Sequence, residues 1–101
     1  VPDNVESICY SAFMNCNSLI EVTLGKGLKT IDSQAFWGCT KLLNCNIPHS
    51  VTNIGESAFR ECSNLKNINI PDSIINIDCS SFRGCVFRNP KQPKLFRNNH
   101  L

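Results

Sequence analysis

Seven cysteines in 101 residues are the side chains best equipped for chemistry, and their spacing decides which chemistry. A zinc site needs ligands grouped closely enough to close a tetrahedron. No C-x-x-C pair occurs, and His49 and His100 do not complete a cysteine cluster. Cys16, Cys39, Cys62 and Cys85 instead recur every 23 residues. Cysteines repeated at one fixed step read as a buried column of free thiols, each behaving as a small hydrophobe. Parallel Cβ vectors in such a column give poor disulfide dihedrals. Cys45 shares a column with Val22 and Ile68 and reads as core, whereas Cys9 and Cys79 share columns with turn residues and read as exposed. His49 follows Pro48 in a turn, with no nucleophile or carboxylate forced beside it. The sequence has no phosphate-binding glycine loop, nucleophile elbow or helical metal motif. The expectation is therefore no catalytic residue, no metal, no cofactor and no small-molecule substrate.

The elements that position these residues follow from the same period. Phe13, Phe36, Phe59 and Phe82 are 23 residues apart, as are Ile8, Ile31, Ile54 and Ile77. Further apolar columns run through Val5, Leu28, Val51 and Ile74, and through Val1, Leu24, Ile47 and Ile70. Leu19, Leu42 and Leu65 form another, and Ala12, Ala35, Ala58 and Ser81 precede the phenylalanines. Aligned apolar columns mean stacked coils, because one coil cannot cover its own apolar side chains. Strand pairing between coils sets a rise near ~4.8 Å.

Each unit holds two strand-like segments. Leu19-Ile20-Glu21-Val22-Thr23-Leu24 fits L-x-x-L-x-L, with 42–47 and 65–70 in register. Alternation points Val22 and Leu24 inward, and Glu21 and Thr23 outward. Pro48 and Pro71 end two of these strands, since proline donates no ladder bond. The second segment is Val51–Ile54 and its equivalents, and 56–62 is expected to form one helical or 3₁₀ turn. The expected fold is a β-rich (α/β class) solenoid of about four coils, with short parallel strands on two faces. Its units lie near 1–23, 24–46, 47–69 and 70–87, and 88–101 forms a tail or cap.

The run Ile47-Pro48-x-x-Val51-x-x-Ile54-Gly55-x-x-Ala58-Phe59-x-x-Cys62-x-x-Leu65 resembles the repeat of BspA-like, or Treponema-type, leucine-rich repeat proteins. The likeness covers about residues 1–87, and departs where Gly25 replaces proline, Ser81 replaces alanine and Arg88 replaces leucine. It implies a curved solenoid that binds protein. It also implies a cell-surface adhesin or surface antigen whose ligand is a host extracellular-matrix or surface protein. The chain is expected to be the C-terminal part of a longer protein of this kind.

The outward face of the L-x-x-L-x-L strands is the expected partner-binding face, with Glu21, Thr23, Asn44, Asn46, Asn67 and Asn69. Amides offer both donors and acceptors there, although a solvated, asparagine-rich face is the plainer reading. Ile20 and Leu43 flank it. Residues 1–78 hold five basic and eight acidic side chains, whereas 79–101 hold five basic and no acidic ones. That tail, with Phe87 or Phe96, is expected to cap the last coil, and binding of anionic membrane or nucleic acid through its basic residues is the weaker alternative. An intracellular scaffold is the alternative to a surface role, because thiol-rich interiors suit reducing cytosol and no N-x-S/T sequon occurs.

Overall fold

A computed structural model describes residues 1–78 and 80–85. The chain winds as a β-solenoid of about three turns. Its strands are β1 (Ser7–Ile8), β2 (Glu21–Thr23), β3 (Thr30–Ile31), β4 (Asn44–Asn46), β5 (Asn53–Ile54), β6 (Asn67–Asn69) and β7 (Asn76–Ile77). Odd-numbered strands form one parallel sheet in the order β1-β3-β5-β7, and even-numbered strands form a second in the order β2-β4-β6. Every pairing joins residues 23 apart, for example Val22 with Cys45 and Cys45 with Ile68. A constant register follows from a constant unit length. A one-residue slip of a strand in that register would turn its inward side chains to the outer face.

Burial shows what stacking does. In the unit beginning at Leu24, the side chains of Leu28, Ala35, Phe36, Cys39 and Leu42 are all fully enclosed. Their equivalents Val5, Phe13, Cys16 and Leu19 are only partly buried. The sequence columns are the same. The difference is that the middle unit is covered on both sides and the first unit on one.

Two expectations are corrected. First, the described residues close about three turns rather than four coils: the fourth unit adds β7 to the first sheet but no described strand to the second. Second, no helix occurs among the described residues, and 56–62 is a run of linked turns. Ala58, Arg60 and Cys62 donate their amides three residues back, to Gly55, Ser57 and Phe59, at 3.2 Å each. The intervening amides of Phe59 and Glu61 donate to the next coil, to Ser81 and Arg83, at 2.8 and 2.7 Å. A helix would turn every amide back onto its own coil. Left-handed residues prevent this: Ser57 has φ 58° and Glu61 has φ 60°, matching Gln34 and Gly38 one coil earlier. Each such non-glycine residue costs about 1–2 kcal/mol of backbone strain. The inter-coil bonds offset that cost.

Cys79, Phe87 and the tail 88–101, with Phe96 and His100, lie outside the described residues.

Candidate functional site

The phenylalanine column forms the centre of the stack. Phe13–Phe36, Phe36–Phe59 and Phe59–Phe82 lie with ring centroids 5.2, 5.1 and 5.3 Å apart and ring planes within 8° of parallel. Phe36 and Phe59 are fully buried, and Phe13 at the first coil is not.

The cysteine column lies beside it and does more than fill space. The Cys39 thiol donates to the Phe13 carbonyl, Cys62 to Phe36 and Cys85 to Phe59, each at 3.1 Å. Each thiol therefore ties its own coil to the preceding one. Cys39 and Cys62 are buried, while Cys16 and Cys85 are half-buried. Burial pushes the thiols of Cys45 and Cys85 up to about 12, and raises those of Cys39 and Cys62 as well. Such thiols are neutral at physiological pH and poor nucleophiles, because the thiolate is the reactive form. Cys9 is exposed. Among the described residues, no group of three or more His, Cys, Asp or Glu side chains could hold a metal. No helix among them is long and apolar enough to cross a membrane.

Ser81 follows the same logic as the thiols. It is fully buried in the alanine column, and its hydroxyl donates to the Gly55 carbonyl at 2.9 Å. The departure from alanine therefore adds a coil-to-coil bond.

The outward face of the second sheet brings the six expected residues together in two rows. Glu21, Asn44 and Asn67 are in register, as are Thr23, Asn46 and Asn69. Glu21, Thr23, Asn46 and Asn67 are exposed, and Asn44 and Asn69 are half-buried. Three of the amides are engaged within the fold. Asn67 Nδ2 donates to Asn44 Oδ1 at 2.6 Å. Asn69 Oδ1 accepts from the Ile47 amide at 2.8 Å, and its Nδ2 donates to the Ile47 carbonyl at 2.9 Å. The Asn69 side chain thus acts as one more strand residue, extending the ladder past the end of β4. This supplies a physical reason for asparagine in strands, where its propensity is poor. Ile20 is exposed beside this face and Leu43 is half-buried.

A groove lies along the other sheet. It is lined by Thr30, Asn53 and Asn76, and by Asp32, Glu56 and Asp78. The sequence reading missed these residues as a surface. Their signal was present in the asparagine pair 53 and 76, one period apart. Asn76 Nδ2 donates to Asn53 Oδ1 at 3.0 Å, and Thr30 Oγ1 donates to Ser7 Oγ at 2.9 Å. Two carboxylates of the groove cap local turns. Asp32 accepts from the Ser33 amide, and Asp78 accepts from both the Ser80 amide and its hydroxyl. The Ser80 amide and hydroxyl hold the Asp78 carboxyl below its ordinary value.

A parallel solenoid with a 23-residue unit, an Ala-Phe core step and a thiol column defines the leucine-rich repeat class. The sequence model described as BspA type leucine-rich repeat region (6 copies) matches residues 1–98, and the chain belongs to that family. Three solved bacterial structures are similar. A Bacteroides ovatus leucine-rich repeat protein is 35% identical with a TM-score of 0.82, over 92% of this chain and 25% of that one. The Treponema pallidum leucine-rich repeat protein is 31% identical with a TM-score of 0.74, over 80% of this chain and 41% of that one. A Eubacterium ventriosum leucine-rich repeat protein is 26% identical with a TM-score of 0.76, over 86% of this chain and 24% of that one. The chain thus spans less than half the length of each. No functionally curated protein matches. Repeat modules of this class generally mediate protein interactions and are typically non-enzymatic scaffolds.

Proposed function

We propose that the array is a protein-binding module of a cell-surface adhesin or surface antigen, with a host extracellular-matrix or surface protein as its ligand. The observation that carries the reading is the in-register outer face of β2-β4-β6. It presents Glu21, Thr23, Asn46 and Asn67 as exposed polar groups at fixed spacing. Rigid placement lowers the entropic cost of binding. Asn44 and Asn69 act here as supports for the neighbouring coils. Thr23 and Asn46 carry the contact, flanked by the exposed Ile20.

The test is binding of the 101-residue chain to immobilised extracellular-matrix proteins. The expected result is saturable binding that a Glu21→Ala, Thr23→Ala, Asn46→Ala variant weakens at unchanged thermal stability. Undiminished binding by that variant removes this face from the function.

A second reading, an intracellular scaffold for a signalling partner, is supported by the free thiols of the interior, which suit a reducing compartment. Locating the full-length protein by surface biotinylation separates the two. Labelling on intact cells supports the adhesin, and protection until lysis supports the scaffold.

A further inference from the structure

One column on the turn side breaks the pattern of its neighbours. The phenylalanines are identical in every unit, yet the next residue along reads Met14, Trp37, Arg60 and Arg83. Backbone bonds fix these positions from coil to coil. The Asn15 amide donates to the Trp37 carbonyl, Gly38 to Arg60 and Glu61 to Arg83, at 2.7, 2.8 and 2.7 Å. The four side chains therefore lie on a rigid line, spaced about 4.8 Å per coil.

Their exposure and contacts suit recognition. Met14 is 38% exposed, and Tyr10, on the same turn segment, is 63% exposed. Trp37 is half-buried, with the Arg60 guanidinium carbon 4.9 Å from its ring centroid. That contact holds Arg60 in place and leaves its outer nitrogens to bind a ligand. Its Nε is buried, and no hydrogen bond reaches it. The Glu61 carboxylate lies 3.6 Å from that atom, at ion-pair range only. Arg83 is exposed one coil further on. Tryptophan, tyrosine and arginine dominate binding hot spots, and methionine is enriched at interfaces.

We propose that the Met14-Trp37-Arg60-Arg83 stripe is a second docking surface, for an acidic segment of a partner protein whose apolar side chains lie at one end and whose carboxylates lie at the other. Carboxylates of that segment pair with the forked guanidinium groups of Arg60 and Arg83. Its apolar side chains lie over Met14 and the open part of Trp37. The charge supports this occupant: the stripe ends in two arginines, and Glu61 offsets one of them. The site is separate from the outer face of β2-β4-β6. It rests on the reading of the array as a protein-binding module.

Trp37 is the single tryptophan of the chain, so its emission reports on this stripe alone. The probe is a synthetic peptide with a Phe-containing half followed by a Glu-containing half, titrated into the 101-residue chain. The expected result is a saturable change in Trp37 emission that weakens with added salt. An Arg60→Gln, Arg83→Gln variant should lose roughly tenfold or more in affinity, the hot-spot range. Arg83→Gln alone, an exposed change that leaves the Trp37 contact in place, should lose affinity at an unaltered melting temperature. Equal binding by these variants, or by the peptide with Gln in place of Glu, would overturn the proposal. So would tighter binding of single-stranded DNA, which would assign the stripe to stacked bases and phosphates. Peptide binding without matrix-protein binding overturns only the adhesin reading. Matrix-protein binding through the β2-β4-β6 face, with no peptide response at Trp37, overturns only the stripe.

Discussion

The turn segments around Phe36 and Phe59 and the sheet β2-β4-β6 hold the same coils together by different means. The turn segments use identical buried side chains, stacked rings and thiols that donate to the preceding coil. The sheet uses a three-residue backbone ladder and side-chain amides that change from unit to unit. In the first region a side chain is fixed by the absence of room. In the second, an exposed side chain is fixed by a partner one period away. Exposure on a solenoid therefore does not by itself make a residue available to a ligand, and Asn67, exposed yet bonded to Asn44, is the clearest case.

The largest expected effect tests the buried side of that contrast. Phe59→Ala removes a ring packed between two others and should cost about 3–5 kcal/mol in denaturant unfolding. Phe13→Ala, at the half-covered first coil, should cost less. Equal costs would show that enclosure between coils is not what matters.

The thiols give a pH test. The folded-state values of Cys39, Cys45, Cys62 and Cys85 lie above the ordinary 9.0, with burial as the main cause, and reach about 12 at Cys45 and Cys85. The unfolded chain loses these protons first as pH rises. The stability that their burial contributes is thus fully present below about pH 9 and is lost between there and about pH 12. Cys45→Val, which matches Val22 in its own column, should flatten that loss. Thermal melts at stepped alkaline pH check it, and an unchanged slope would count against a desolvated Cys45.

The sheet side is tested by Asn69→Ala. It strands the amide and carbonyl of the buried Ile47, so about 1–3 kcal/mol should be lost. Asn67→Ala breaks one exposed bond and should cost about 0.5 kcal/mol or less. Similar losses would erase the distinction between a supporting amide and a surface one.

Backbone strain supplies a gain rather than a loss. Glu61 occupies the left-handed position that Gly38 and Gly84 occupy in neighbouring coils. Glu61→Gly should stabilise by about 1 kcal/mol, the relief of left-handed strain less the entropy glycine adds. Loss of stability would show that the Arg60–Glu61 pair outweighs the strain.

The 23-residue period alone determined the parallel stack, the register, the apolar columns and the inward direction of Phe36, Cys39 and Val22. Side chains one period apart must cover each other, because no coil has another source of burial. The tertiary structure decided where the backbone amides go, and so replaced the expected helical turn with linked turns at Ser57 and Glu61. It also decided that Asn69 binds Ile47, that the thiols reach back to the phenylalanine carbonyls, and that Arg60 lies over Trp37. The asparagine and thiol contacts span 22 and 26 residues, which column alignment at a step of 23 does not resolve, and the Arg60–Trp37 contact, one period long, depends on side-chain rotation that alignment does not set.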